Sequence, residues 1–300
     1  KNPHPNWLVG GVPASISLEG AGAITLERLN QVSTIIAETI EFIDNVYIPD
    51  LLAVASFYKD WAKWGGGLSG QSVLAYGDFP DRANDPKSLL LPQGAIINGN
   101  LKEVFPVNFT DPNEIQEFVT HSWYKYPDEK KGLHPWDGVT EPNFVLGKIK
   151  GTKTNIKELD ESAKYSWVKA PRWKGHAMEV GPLARWIVGY AKGIPEFKDP
   201  VDMVLKKLDV PVGALFSTLG RTAARGLECS WAAHRMKYFY DKLMANLKAR
   251  NTATANVAKW DPKTWPKEAK GYGFMEAPRG ALAHWIKIKD TKIENYQCVV

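Results

Sequence analysis

Residues 214–250 read ALFSTLGRTAARGLECSWAAHRMKYFYDKLMANLKAR. Phe216, Leu219, Leu227, Trp231, Tyr238, Leu243 and Leu247 fall mostly at helical spacing, which predicts one helix over the whole stretch. At about 1.5 Å per residue such a helix runs roughly 55 Å and forms the backbone of the fold. Gly220 and Gly226 interrupt it. Each either admits a neighbouring helix at close range or only weakens the helix.

Working outward, Asp199-Pro200 predicts the start of another helix, with Val201, Val204, Leu205 and Leu208 inward and Pro211 closing it. A further helix is expected from Pro182 to Gly193. Leu26, Leu29, Ile36, Ile40, Ile43 and Tyr47 predict a helix ended by Pro49, and a weaker signal follows over 51–64. Asp111-Pro112-Asn113-Glu114 has the residues of a capping box and predicts a helix carrying Ile115, Phe118 and Val119 on one face. Short strands are expected at 14–18, 88–91 and 95–97. Residues 124–173 carry little periodicity, which in a compact protein suits a functional or partner-covering region. Leu282, His284, Ile286 and Ile288 alternate, Asp290-Thr291 suits a turn, and residues 293–300 can return as a second strand. The expected class is α+β, predominantly helical, with long core helices and small β-hairpins.

The 300 residues are 44% hydrophobic and 24% charged, enough for a sizeable core. The net charge of +5 is spread among mixed charges, so no basic face suggests nucleic acid as a partner. Twelve tryptophans point to a large core or subunit interface, and less to a sugar-binding cleft. No apolar run reaches the roughly 20 residues that cross a bilayer. The chain opens on Lys1 without Met and stops at Val300 in an apolar run, so it is read as a central fragment, a single partial domain over 1–300.

The two cysteines, Cys229 and Cys298, form no C-x-x-C pair and support no cysteine-based metal site. The run Trp64-Gly65-Gly66-Gly67-Leu68-Ser69-Gly70 lacks the lysine and following helix of a phosphate cradle and is expected to be a flexible loop. The six histidines are not closely spaced, which suits hydrogen-bonded packing roles. His4 differs in that Asn2-Pro3-His4-Pro5 would fix its ring. In Glu276-Ala277-Pro278-Arg279-Gly280 the arginine lies between a residue that fixes the backbone and one that permits close approach. Arg279 is therefore either aimed into a site or held in a structural pair, with Glu276 as one possible partner.

Five segments together carry a resemblance. They are Lys1-Asn2-Pro3-His4-Pro5-Asn6-Trp7 with Gly10-Gly11-Val12, Ser166-Trp167-Val168-Lys169-Ala170-Pro171-Arg172-Trp173, Met178-Glu179-Val180-Gly181-Pro182-Leu183-Ala184-Arg185, Glu276-Ala277-Pro278-Arg279-Gly280, and Tyr296-Gln297-Cys298-Val299-Val300. In order and content they resemble nickel–iron hydrogenase large subunits of the membrane-bound, respiratory uptake type. The resemblance implies that fold, and reversible splitting of H2 into protons and electrons. It implies a nickel–iron centre with cyanide and carbon monoxide ligands, held by four cysteines in two C-x-x-C pairs, and a magnesium ion. The implied partners are an iron–sulfur small subunit and, through it, a membrane cytochrome b. The implied location is the periplasmic face of the membrane, peripheral.

By the same resemblance Arg279 matches the arginine over the metal centre, and Pro278 lines the site. His4 lies near the cluster ligands. Cys298 gives its backbone carbonyl to magnesium. None of the nickel ligands occurs in this chain, so by itself it is expected to hold no metal centre and to be inactive. Two alternatives stay open. One is a metal-free relative serving a respiratory quinone oxidoreductase as a structural, electron-coupling subunit. The other is a carbohydrate-active protein with tryptophan platforms.

Overall fold

A computed structural model of the chain describes residues 25–82, 85–148, 152–153, 155–251 and 261–299. The strand expected at 14–18 and His4 lie outside them. The chain forms two compact units, residues 1–59 with 222–265 and residues 60–221 with 266–300.

The described part of the first unit is helical. Helix α1 (Leu26–Phe42) begins at Thr25, whose hydroxyl accepts from the Arg28 N–H at 3.2 Å. It does not end at Pro49. A π-helical turn (Ile43–Tyr47) leads directly into α2 (Ile48–Phe57). Pro49 is tolerated because it falls in the first turn of α2, beside a wider turn that relieves the ring's clash. Asp44 in the wide turn accepts from Ser230 Oγ at 2.9 Å and His234 Nε2 at 2.8 Å on the long helix. A Cβ on Gly226 would lie 2.2 Å from Leu51 Cδ2, so the close-approach reading of that glycine holds.

The long helix, α5, is shorter than expected. It spans Thr218–Lys248, 31 residues, or roughly 46 Å. Val212–Phe216 forms a separate 3-10 turn. Ser217 is extended between the two, and its hydroxyl accepts from Gly220 N at 3.0 Å, so a serine cap resets the helix.

In the second unit, helix α3 (Pro182–Ala191) is buried along nearly its whole length. Helix α4 (Pro195–Leu208) starts earlier than expected and carries Pro200 inside it. Phe197, Val201, Val204 and Leu208 are all buried on one face, and that packing outweighs the hydrogen bond Pro200 cannot give. Asp209, left-handed at φ 53°, ends α4 ahead of Pro211.

The strands are β1 (Val73–Ala75), β2 (Asp78–Pro80), β3 (Leu89–Leu91), β4 (Gly94–Ile96), β5 (Ile115–Phe118), β6 (Phe144–Lys148), β7 (Asn155–Leu159), β8 (Ala170–Trp173), β9 (Glu268–Ala277), β10 (Gly280–Lys289) and β11 (Lys292–Val299). Antiparallel pairs join β1 to β4, β2 to β3, β5 to β8 and β6 to β7, and β9-β10-β11 make a meander with β10 in the middle. Helix accounts for 41% and strand for 25%, so the class is α+β, with too much strand to call predominantly helical.

Two expectations change here. Asp111-Pro112-Asn113-Glu114 opens a strand. Asp111 Oδ1 accepts from Asn113 N, and Glu114 turns away from any helix to take the Asn108 N–H at 2.8 Å and Trp173 Nε1 at 3.2 Å. The inward face of β10 is Ala281, Ala283 and Trp285, all 1% exposed or less; the more conspicuous set of Leu282, His284, Ile286 and Ile288 lies on the other face. Ala281, Ala283 and Trp285 pack with Leu74, Tyr76 and Phe109. Phe109 stacks on Phe274 at 4.4 Å and accepts the Trp285 indole N–H at 3.0 Å. Trp136, Trp173 and Trp285 lie in this core with their N–H groups bonded, while Trp61, Trp64, Trp167 and Trp265 are exposed.

Candidate functional site

The Glu276–Gly280 segment is the tight turn between β9 and β10, with Ala277 opposite Gly280 and Pro278-Arg279 at its tip. Its base is held by a buried ion pair. Arg185 of α3, 1% exposed, places Nη1 2.7 Å from Glu276 Oε2. The same guanidinium donates to the carbonyls of Ala277 at 3.0 Å and Pro278 at 3.3 Å. The other Glu276 oxygen accepts the backbone N–H of Tyr76 at 2.5 Å and of Gly77 at 3.3 Å. Burial pushes the Glu276 carboxyl up; Arg185 and the two backbone donors pull it down.

Glu276 is therefore the partner of Arg185. The Arg279 guanidinium has no hydrogen-bond or ion-pair partner among the described residues, and Arg279 and Pro278 are both exposed. Backbone contacts explain why the turn sits where it does. Gly181 (φ +117°) has room only for hydrogen, since a Cβ there would lie 2.7 Å from the Arg279 carbonyl oxygen. Gly280 is packed against Val180 in the same way, with a Cβ 2.4 Å from Val180 Cγ2.

A second cluster lies beside Cys298. On β11, Gln297 and Val299 point inward while the Cys298 side chain is exposed. Gln297 Oε1 accepts from Lys169 Nζ at 2.8 Å, and Gln297 Nε2 donates to the Gly138 carbonyl at 3.2 Å. Lys169 also donates to Thr140 Oγ1 at 3.2 Å, and its ammonium lies 5.3 Å and 5.6 Å from the rings of Tyr124 and Tyr126.

Glu117 on β5 completes the cluster. It is 4% exposed, and burial pushes its carboxyl to about 7 even though Lys169 pulls it down. Burial likewise lowers Lys169, against the pull of Glu117. Glu117 also raises the Tyr126 hydroxyl and the Cys298 thiol, after burial as the larger cause in both. Glu117 Oε2 and the Tyr126 hydroxyl are buried with no hydrogen-bond partner. Two unmatched oxygens in one electrostatic neighbourhood call for a shared partner such as a water or a hard cation.

Of the expected site residues, then, Arg279 and Pro278 share one turn, Cys298 lies by a polar cluster, and His4 is outside the described residues. Reading the sequence missed Arg185, Glu117, Lys169 and Gln297 as site builders. A lone lysine in Trp167-Val168-Lys169-Ala170 and an arginine inside the apolar helix at 182–191 were the available signals. The Gly-rich run near Trp64 is better tied than a flexible loop. Arg221 donates to the Gly65 carbonyl and holds Glu179 by two bonds of 2.6 and 2.7 Å.

Nickel does not fit these residues alone. Among the described residues no group of three His, Cys, Asp or Glu side chains could hold a metal ion, and Cys229 and Cys298 are both free. No helix among them is long and apolar enough to cross a membrane.

The chain spans about half the length of the curated relatives it matches. It is 71% identical over 306 residues to the uptake hydrogenase large subunit of Bradyrhizobium diazoefficiens, covering all of this chain and 51% of that protein. It is 53% identical over 305 residues to the hydrogenase-1 large chain of Escherichia coli K12, again covering 100% and 51%. Among solved structures, a variant of the nickel–iron–selenium hydrogenase of Desulfovibrio vulgaris Hildenborough superposes with a TM-score of 0.69 at 31% identity, covering 93% of this chain and 52% of that one. The H2-activated enzyme of Dm. baculatum gives 0.67 at 30%, covering 92% and 50%. The description "nickel-dependent hydrogenase" matches residues 1–300, and the chain belongs to that family.

Proposed function

We propose that this chain is part of the catalytic large subunit of a nickel–iron hydrogenase. The complete protein oxidises H2 reversibly and passes electrons to an iron–sulfur small subunit. A membrane cytochrome b receives them at the periplasmic face of the membrane, where the enzyme is peripheral. Its nickel–iron centre carries cyanide and carbon monoxide and depends on cysteines that this sequence does not contain. The observation that carries the reading is the turn at 278–279, where a fixed backbone presents a guanidinium that no described residue neutralises.

Splitting H2 separates a hydride from a proton. A positive charge held near the separating pair, with little water to screen it, favours that charge development. Arg279 stays charged at any working pH, since a free guanidinium has a pKa of about 12.5 or more. Pro278 fixes the backbone from which it projects, and His4 is assigned to the lining of the same site. The Cys298 carbonyl is assigned to magnesium, a hard cation that takes oxygen ligands. The orphaned oxygens of Glu117 and Tyr126 supply acceptors for such an ion or its waters.

The test is Arg279→Lys in the full-length enzyme with its partner subunit. Lysine keeps the charge and loses the planar fork. Turnover should fall at least roughly a hundredfold, the scale of losing one positioned group, with nickel content unchanged. Near-normal turnover with full nickel would refute the reading.

A further inference from the structure

We propose that Arg185 is a positioning residue for Arg279, holding the peptide that carries it. The inference deepens the reading of Arg279 as a catalytic group and rests on it. Neutralising Glu276 takes one of the Arg185 donors, at 2.7 Å. Others go to backbone, at 3.0 Å to the Ala277 carbonyl and 3.3 Å to the Pro278 carbonyl. The Pro278 carbonyl belongs to the peptide unit whose nitrogen is that of Arg279, so Arg185 grips the link from which the Arg279 side chain departs.

Other constraints act on the same five residues. The Glu276 N–H donates to Asp78 Oδ2 at 2.8 Å, and Glu276 Oε1 is tied to the backbone of Tyr76 and Gly77. Gly181 admits the Arg279 carbonyl and Gly280 admits Val180, each at a distance a side chain would forbid. The backbone from 276 to 280 is thus fixed from beneath by α3 and from the side by the segment after β1, while the Arg279 guanidinium is left without a partner among the described residues. A buried ion pair is a weak device for stability alone, because apolar residues of similar volume often do as well. The planar fork of an arginine is suited to holding several acceptors in one geometry.

The experiment uses the full-length enzyme with its small subunit, and compares Arg185→Lys, Arg279→Lys and the double variant. Lysine at 185 keeps a charge for Glu276 and releases the carbonyls. In Arg185→Lys, kcat for H2 oxidation should fall roughly tenfold or more, the scale of a slightly misaimed group, with KM for H2 within about twofold and nickel content unchanged. Hydrogen–deuterium exchange of the Ala277, Arg279, Gly280 and Ala281 amides should rise at least about tenfold. Added to Arg279→Lys, the change at 185 should cost less than about twofold, because the group it aims is already gone.

A full tenfold cost in both backgrounds would overturn the proposal, and so would nickel loss in step with activity. If Arg279→Lys alone leaves turnover normal, the reading of Arg279 fails. Exchange then still decides the positioning claim, and unchanged exchange in Arg185→Lys overturns it. Should Arg185→Lys fail to assemble, the neutral pair Arg185→Gln with Glu276→Gln leaves no orphaned charge and should give the same signature.

Discussion

Glu117 ties stability to pH in a direction opposite to that of most carboxylates. Buried in β5, it titrates near 7 in place of the ordinary 4.5. Between these values the folded protein keeps a proton that the unfolded chain has already released. Folding is therefore favoured by this group below pH 4.5, and the contribution is lost as pH rises through about 7. At about 1.4 kcal/mol per pH unit the span is worth roughly 3 kcal/mol. Glu117→Gln keeps the shape and removes the titration. Unfolding by urea at several pH values from 4.5 to 8, on both proteins, isolates the group together with its coupling to Lys169. The gap in stability between variant and wild type should move by roughly 3 kcal/mol in favour of the variant as pH rises, several °C in Tm. A gap constant to within about 0.5 kcal/mol across the range, the limit expected of independent sites, would refute the argument.

Gly181→Ala should destabilise the second unit by roughly 2–3 kcal/mol, because φ +117° is a glycine conformation and the new Cβ would meet the Arg279 carbonyl; thermal unfolding checks this. In the complete enzyme the same change should also lower turnover with nickel retained. Trp285→Phe should cost roughly 2–4 kcal/mol in denaturant unfolding, since it opens space in the core and frees the Phe109 carbonyl bonded at 3.0 Å.

What could be read from the sequence follows where local pattern and tertiary packing agree. The helix at 182–191, the short strands near 89 and 95 and the β10–β11 hairpin show themselves because their apolar spacing and turn residues have local causes. Strand β9 does not: its residues include Lys270, Gly271 and Gly273, and only pairing with β10 makes it a strand. Glu114 had every residue of a helix cap around it, yet Trp173 and Asn108 claimed its carboxylate from outside the local sequence. The site divides the same way. Arg279 stands out between Pro278 and Gly280, and the family resemblance gives it a role. Arg185 and Glu276 are 91 residues apart, and no local pattern announces their pairing. Lys169 and Gln297 are separated by 128 residues, so their cluster too exists only once the chain has folded.

The wide turn at Ile43–Tyr47 sets the rotational phase of everything after it. Along a regular α-helix each residue advances about 100°, so Ala55, nineteen positions after Ile36, would stand about 100° around from it. A π turn absorbs about one residue, which brings Ala55 back into line with Ile36 and swings Leu52 toward the same side. Ile36, Ile43, Leu52 and Ala55 are in fact the buried positions of this helix pair. Removing a single residue between 43 and 47 would give a straighter helix with better hydrogen bonds. It would leave Leu52 and Ala55 on the same side as Ile36, whereas rewinding the turn to a regular α-helix with every residue kept would carry them about 100° away. Here the wide turn takes up one extra residue, so the helix gains length while still presenting the same face.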